Sequence, residues 1–497
     1  MLAMQSISQL PGPGGRTAGR RADASPRLVM VIVCAGVVLA SLDLFIVNVA
    51  LPDIARDLHQ RNLAELSWVL NAYAIVYAAA LVLLGRLSES RRRDNGFLLG
   101  VMIFTVASAA CGAASDLTML VAFRIVQALG AALLTPTSLS LVLATTPAQR
   151  RHGAVRTWTA VGGLAAALGP VVGGLLVTAG WRWVFYVNVP IGLLAAVAGW
   201  RRLPRVAGHP VPRPDGLGAV LVTAGTAALT LGLVESSDWG WGSARTVSAL
   251  AVAVAALVAF GWRCRRHRAP LIDPALLRVR AFSGSALVSV IFSTAFGAML
   301  LSRVLWCQDV WGWSALRTGL ALAPGPLMVP LFSFLVTGRL IKRWGPGPTI
   351  GAGATVFAVG AAWWAVATGL GPDYVGDMLG GMLLTGAGVG LTLPTFMATG
   401  AASLPAHSFA TGSAVLNMLR QVGMAVGIAI FVAVLGTPHS PDAVLSAYRA
   451  EWLVIALSSL IAAVAGVATL STRRAATAPR QPVGPEPVAA PAMDTSP

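Results

Sequence analysis

These 497 residues are expected to form an all-α bundle that crosses a lipid bilayer. Three features carry that expectation. Fourteen apolar runs reach membrane-spanning length, only 11% of residues are charged, and the connections between runs alternate between basic and acidic. A soluble domain carries about 25% charged residues, so water cannot solvate most of this chain.

A spanning helix needs about 20 mostly apolar residues. Suitable runs lie near 28–50, 66–84, 97–114, 118–143, 157–178, 184–200, 216–234, 246–262, 281–303, 318–337, 349–369, 376–397, 411–435 and 452–471. The first, Leu28 to Val49, exceeds the apolar core of a signal peptide and lacks a clear small-x-small cleavage pattern, so it reads as a retained helix. Residues 1–27 and 472–497 are polar and rich in Pro with Gly, Arg or Ala, and are expected to be disordered cytoplasmic tails.

The charge pattern tests the count. One set of connections holds Arg86 and Arg91 to Arg93, then Arg150, Arg151 and Arg156, then Arg201, Arg202 and Arg205. It continues with Arg263, Arg265, Arg266 and Arg268, and with Arg339, Lys342 and Arg343. The alternate set is acidic or nearly neutral, including Asp53, Asp57 and Glu65, Asp116, Glu235 and Asp238, Asp309, Asp373 and Asp377, and Asp442 and Glu451. Both tails carry arginine, so an even number of spans with both termini cytoplasmic is expected in the cytoplasmic membrane. The net charge of +17, from 36 Lys+Arg against 19 Asp+Glu, is then topology control. Nucleic-acid binding would need a basic face on a soluble module, and none is present.

Leu84-Gly85-Arg86-Leu87 after run 2 is echoed by Gly338-Arg339-Leu340 after run 10. The echo divides the chain into a six-helix bundle at 28–202, an inserted two-helix hairpin with linkers at 203–270, and a second six-helix bundle at 271–471. Transporters built from related halves place their site between them near the midplane. No enzymatic constellation is found: there is no phosphate loop, the six histidines lack metal spacing, and the four scattered cysteines read as small hydrophobes.

The informative residues are charges inside apolar runs, each costing about 2.5–3.5 kcal/mol at a helix centre. Asp43 in run 1, Arg124 in run 4 and Arg420 in run 13 stand out. From the outer ends, Asp43 is about 10 Å deep and Arg124 about 8 Å deep, so the two can pair across neighbouring helices. The pair is either a static brace or a switch in which Asp43 gains and loses a proton. Asn417, Arg420 and Gln421 form a polar stripe that either holds helices together or faces a cavity. In run 5, Pro170 should kink the helix, and Gly169, Gly173 and Gly174 should let another helix approach. Trp181, Trp183, Trp239, Trp241, Trp311 and Trp313 fall at outer boundaries, as an interfacial belt would. Trp68, Tyr73, Trp306, Trp363 and Trp364 are placed to line a cavity.

These motifs resemble the fourteen-span drug:proton antiporter family of the major facilitator superfamily, over about residues 30–435. Leu42-Asp43-Leu44-Phe45-Ile46-Val47-Asn48-Val49-Ala50-Leu51-Pro52 looks like that family's first-span signature. Arg124-Ile125-Val126-Gln127-Ala128-Leu129-Gly130 resembles its fourth-span motif, with alanine for a usual glycine at Ala128. Gly169-Pro170 with Gly173-Gly174 matches its antiporter motif. Trp181-Arg182-Trp183-Val184-Phe185-Tyr186-Val187-Asn188-Val189-Pro190 looks specific to the fourteen-span group, and Leu416-Asn417 to Gly423 resembles the thirteenth span. In the loop after span 2, Glu89 replaces the usual aspartate, and Ser90 and Arg92 replace an arginine and a glycine.

The resemblance implies a major facilitator fold and export of small amphiphilic compounds in exchange for protons, with no cofactor beyond the proton gradient. It implies Asp43 and Arg124 as the coupling pair and Gly85, Arg86, Glu89 and Arg93 as a cytoplasmic gate. The candidate cavity residues are Asn48, Trp68, Tyr73, Gln127, Asn417, Arg420 and Gln421. The expected partners are a small-molecule substrate, protons and lipid, for a monomer that binds no nucleic acid. No extra acid is evident in spans 10 or 13, which favours neutral, zwitterionic or anionic substrates over multivalent cations. A proton-coupled importer on the same fold, and a membrane sensor or scaffold that no longer transports, remain as alternatives.

Overall fold

The computed structural model describes residues 25–60, 62–89, 92–147, 150–207, 215–404 and 409–471. Apart from residues 25–27, the two predicted tails lie outside them. All fourteen predicted runs are helical: thirteen are helices of membrane-spanning length and polarity, and the fourteenth is a bent pair. The chain is a multi-pass, all-α membrane protein.

In chain order, span 1 is Pro26–Asp57, span 2 Leu63–Glu89, span 3 Arg93–Gly112, span 4 Leu117–Thr145 and span 5 Arg151–Val177. A short turn, Trp183–Tyr186, leads into span 6, Asn188–Arg202. Spans 7 and 8 are Gly216–Val234 and Ala244–Arg266. Spans 9 to 12 are Arg280–Val310, Ala315–Trp344, Pro346–Ala367 and Tyr374–Ala402, and spans 13 and 14 are Phe409–Leu435 and Pro441–Leu470.

Local chemistry sets the helix ends. Asp116, Asp215, Ser243 and Ser440 each accept a bond from a first-turn amide, and Pro26, Pro346 and Pro441 occupy the first turn, where no amide is needed. Span 5 bends by 40° between Ala166 and Leu168. The cause is Pro170, whose ring clashes with the carbonyl four residues earlier, at Ala166.

Spans 1 to 6 pack together, as do spans 9 to 14. Two seams join the groups: span 2 lies along span 13, and span 5 lies along the start of span 10. Span 7 packs over the span 2–span 13 seam and carries span 8 on its far side. The hairpin is tied at its basic end by Arg263, whose Nε donates to Asp215 Oδ1 at 2.7 Å. Burial pushes the Asp215 carboxyl up, but the Gly218 amide and Arg263 more than offset this and hold it below its ordinary value.

Two sequence expectations are corrected. Span 14 starts about three turns before the fully apolar run, because Ser440 and Pro441 cap it and Val444, Leu445, Tyr448 and Trp452 give it a buried face. Glu451, expected in an outer connection, therefore lies inside a helix and is fully buried. The tryptophan belt is also partial: Trp183 and Trp241 are exposed, but Trp181, Trp311 and Trp313 are buried in protein. Trp306 and Trp364, expected to line a cavity, are fully buried against other aromatic rings. They join Trp311, Tyr448 and Trp452 in an aromatic cluster that closes one end of the second bundle.

Candidate functional site

Asp43 and Arg124 are both 0% exposed, and Arg124 Nη1 donates to Asp43 Oδ2 at 2.5 Å. Their similar depth on spans 1 and 4 brings them together as the rise per residue requires. The remaining valences of Asp43 are met by amides. Gln127 Nε2 donates to Oδ1 at 2.9 Å, and Asn188 Nδ2 reaches the same atom at 3.4 Å. Ser108 Oγ accepts from both Gln127 and Asn188 at 3.1 and 3.0 Å, and itself donates to the Phe185 carbonyl. Spans 1, 3, 4 and 6 thus meet at one carboxylate.

Arg124 has further partners. Nε donates to the Val69 carbonyl at 3.1 Å, Nη1 also reaches Gln127 Oε1 at 2.8 Å, and the guanidinium stands 4.1 Å above the Tyr73 ring. Its Nη2 has no hydrogen-bond partner among the described residues. Arg124 also forms part of the wall of a narrow cavity between the two bundles, with Leu44, Asn48, Leu70, Ala74, Leu300, Met424 and Ile428. One guanidinium therefore belongs to the ion pair and to the cavity.

The other candidates divide. Asn48 lines the cavity, donating to its own helix at Leu44. Gln127 and Tyr73 serve the ion pair. Trp68 packs against the cluster of Ala74, Ile75 and Ala425 at the seam covered by span 7, and of these Ala74 is in the cavity wall. Asn417 and Gln421 share the helical face of Met424 and Ile428 at three- and four-residue spacing, extending that face toward the basic end. Gln421 Oε1 and Arg420 Nε are buried without partners among the described residues, and Arg420 lies within electrostatic reach of Tyr77 on span 2.

Gly169 and Gly173 sit against Phe45 and Ile46 of span 1, one turn from Asp43. A methyl group at Gly174 would lie 2.6 Å from the Ala315 carbonyl of span 10, so only glycine permits that approach. The antiporter-type motif is therefore a wedge between the helix of Asp43 and the second bundle. At the same end, Gln308 Nε2 donates to the Val49 carbonyl at 2.9 Å across the bundles.

At the basic end, Gly85 sits against Pro136 of span 4, and Arg86 Nη1 donates to the Pro270 carbonyl at 2.9 Å, joining span 2 to the linker before span 9. The Arg93 amide donates to the Val206 carbonyl, and the Arg93 Nε is buried without a partner among the described residues. The Glu89 side chain lies outside the described residues. Asp94 is the acid seen at this corner: it pairs with Arg92 and accepts from the Val206 amide at 3.3 Å. Sequence reading also missed Ser108 and Asn188. Asn188 stood in a quoted motif; Ser108 carried no signal, being a hydroxyl in an apolar run.

The sequence profile of the Major Facilitator Superfamily matches residues 33–428. The tetracenomycin C resistance and export protein of Streptomyces glaucescens is 34% identical over 430 residues, covering 84% of this chain and 76% of that protein. The puromycin resistance protein of Streptomyces alboniger is 35% identical over 410 residues, covering 81% and 80%. The cephamycin export protein of Amycolatopsis lactamdurans is 33% identical over 468 residues, covering 91% and 94%. Among solved structures, an auto-inhibited POT family peptide transporter superposes with a TM-score of 0.65 at 19% identity, covering 88% of this chain and 96% of that one. A bacterial homologue of the lysosomal transporter Spinster, inward-facing and unoccupied, gives 0.63 at 16%, covering 89% and 96%. The two structures speak for the fold alone, while the profile and the relatives, matching most of the chain, carry the assignment: this protein belongs to the Major Facilitator Superfamily of membrane transporters.

Proposed function

We propose that this chain exports small amphiphilic compounds, of the class of antibiotics or secondary metabolites, across the cytoplasmic membrane in exchange for protons. The relatives named for antibiotic export and resistance support the direction and the substrate class. The arginine-rich connections support an orientation with both termini cytoplasmic.

The observation that carries the coupling is the double duty of Arg124, which holds Asp43 and forms part of the cavity wall. With Asp43 ionised, the guanidinium is held against it and the Tyr73 ring, and the cavity is left to substrate. A proton arriving at Asp43 cancels its charge. Arg124 then keeps only neutral partners, which is costly for a cation at this depth. It relaxes toward Asn48 and Met424, taking the space a substrate would occupy. Proton and substrate thereby exclude one another, as exchange requires. The amides of Gln127 and Asn188 hold the carboxylate in place through the cycle.

Alternating access moves the bundles about the two seams. Arg86 with Pro270 fastens the cytoplasmic side, and Gln308 with Val49 fastens the outer side. In inside-out vesicles, substrate uptake should follow an imposed proton gradient, and Asp43→Asn should abolish the gradient-driven component. Uptake by Asp43→Asn that still tracks the gradient would reject Asp43 as the coupling group.

A further inference from the structure

Glu451 takes no part in the site above, yet it is the other fully buried acid among the described spans. It is 0% exposed, and neither Oε atom has a hydrogen-bond partner among the described residues. It faces a cleft where spans 13 and 14 diverge on either side of span 9. The walls are Thr294, Ala298, Gly427, Ile430, Val454 and Ser458. Span 13 lies so close to span 9 here that a methyl group at Gly427 would collide with the Thr294 carbonyl. The Thr294 hydroxyl donates to Val290 of its own helix, which leaves Glu451 without it.

Among the described residues, no cation pairs with this carboxyl. On span 9, Arg303 donates to Met299 and Met382 and lies over the Trp364 ring, facing spans 11 and 12. Cys307 and Asp309 lie toward the acidic end of the same span and bring no positive charge. Span 13 has Arg420 as its ionisable side chain, ten residues and about 15 Å below Ile430. Span 11 has no ionisable side chain. On span 14 itself, Tyr448 is one turn away, and Arg449 donates to the Thr368 carbonyl. An ionised carboxylate cannot persist in such surroundings without a partner, whereas a neutral carboxylic acid can.

We propose that Glu451 is a second proton-exchanging carboxyl, neutral in this closed arrangement and able to pass its proton to water through the cleft between spans 13 and 14 when that cleft opens. The step is a simple transfer: the acid becomes a carboxylate and water carries the proton away, and the reverse restores it. Its place in a transport cycle rests on the export reading above, but its protonation does not.

Infrared difference spectroscopy on the full chain in proteoliposomes tests this through the carbonyl stretch of a protonated carboxylic acid. Wild type should show such a band, which fades reversibly as the pH is raised. Glu451→Gln should lose that component entirely, Glu451→Asp should keep it at a shifted frequency, and Asp43→Asn should keep it unchanged. Spectra of Glu451→Gln that match wild type across the titration would overturn the proposal, as would a Glu451 component that never fades. Should Asp43→Asn still couple uptake to the gradient while the Glu451 band behaves as expected, the Asp43 reading fails and this one stands.

Discussion

The Asp43–Arg124 pair can be tested as an energetic unit. Both side chains are fully excluded from solvent, and the contact is 2.5 Å. Removing one partner strands the other charge, which costs about 3–5 kcal/mol for a buried pair. Asp43→Asn keeps the shape and leaves Arg124 with Gln127, the Val69 carbonyl and the Tyr73 ring. Arg124→Gln strands Asp43 with two amide donors. The double variant strands nothing, so its loss should be no greater than that of either single change. Two single losses of about 3–5 kcal/mol against a double loss of the same size give an interaction energy of about 3 kcal/mol or more. Equilibrium unfolding of the purified protein in detergent, run for all four members of the cycle, measures it. Losses that simply add, with an interaction below about 0.5 kcal/mol, would show that the charges do not depend on one another.

Three further outcomes follow from the same contacts. Gly174→Ala should force spans 5 and 10 apart, cost about 1–3 kcal/mol in unfolding assays and slow export several-fold; export at the wild-type rate would show that the close approach is dispensable. Gln308→Ala removes the bond to Val49, worth about 1 kcal/mol, and should raise outward-open species about 5-fold, read as faster labelling of a cysteine placed at Asn48 from the outer side. Asp215 has a depressed carboxyl, so its contribution is present above the ordinary carboxylate value and lost as the pH falls through the lower folded value. Asp215→Asn should therefore be less stable than wild type at neutral pH, and the gap should close in strong acid; a gap that is unchanged at low pH would refute the assignment.

The spans were legible because the bilayer imposes a length and a polarity on each of them, and no tertiary detail is needed to see either. Asp43 and Arg124 were legible for a related reason: an intramembrane charge stands out against apolar neighbours. What escaped was everything whose signal depends on partners. Ser108 and Asn188 are ordinary polar residues until four helices converge on one carboxylate. Trp181 looked interfacial, yet its indole N–H donates to Asp57 and its ring is buried. Glu451 was hidden by its own charge, because a carboxylate beside Arg449 and Asp442 lowers the local hydropathy and pushes the apparent helix start past it. Arg303, at the edge of the ninth run, was passed over in the same way and is buried over an indole.

The bend in span 5 suggests how a proton on one helix could be felt in the other bundle. Asp43 sits one turn from Phe45 and Ile46, which lie against Gly169 and Gly173. The opposite side of the same short segment meets span 10, where Gly319 approaches the Pro170 carbonyl and Gly174 approaches Ala315. The contacts with span 10 are backbone against backbone, and those with span 1 are to Phe45 Cβ and to the backbone and Cγ1 of Ile46, so little flexible side chain is left to absorb a displacement, and packed interiors transmit small shifts. A movement of span 1 on protonation must therefore either be opposed by span 5 or be passed on to span 10. Pro170 removes one rung of the helix ladder at this point, which makes the Ala166–Leu168 bend the place where the angle can change at least cost. Straightening it with Pro170→Ala should leave the Asp43–Arg124 pair intact and yet weaken coupling, a separation that no variant of the pair itself can produce. If Pro170→Ala transports with undiminished proton dependence, the link between the bundles must run through the span 2–span 13 seam instead.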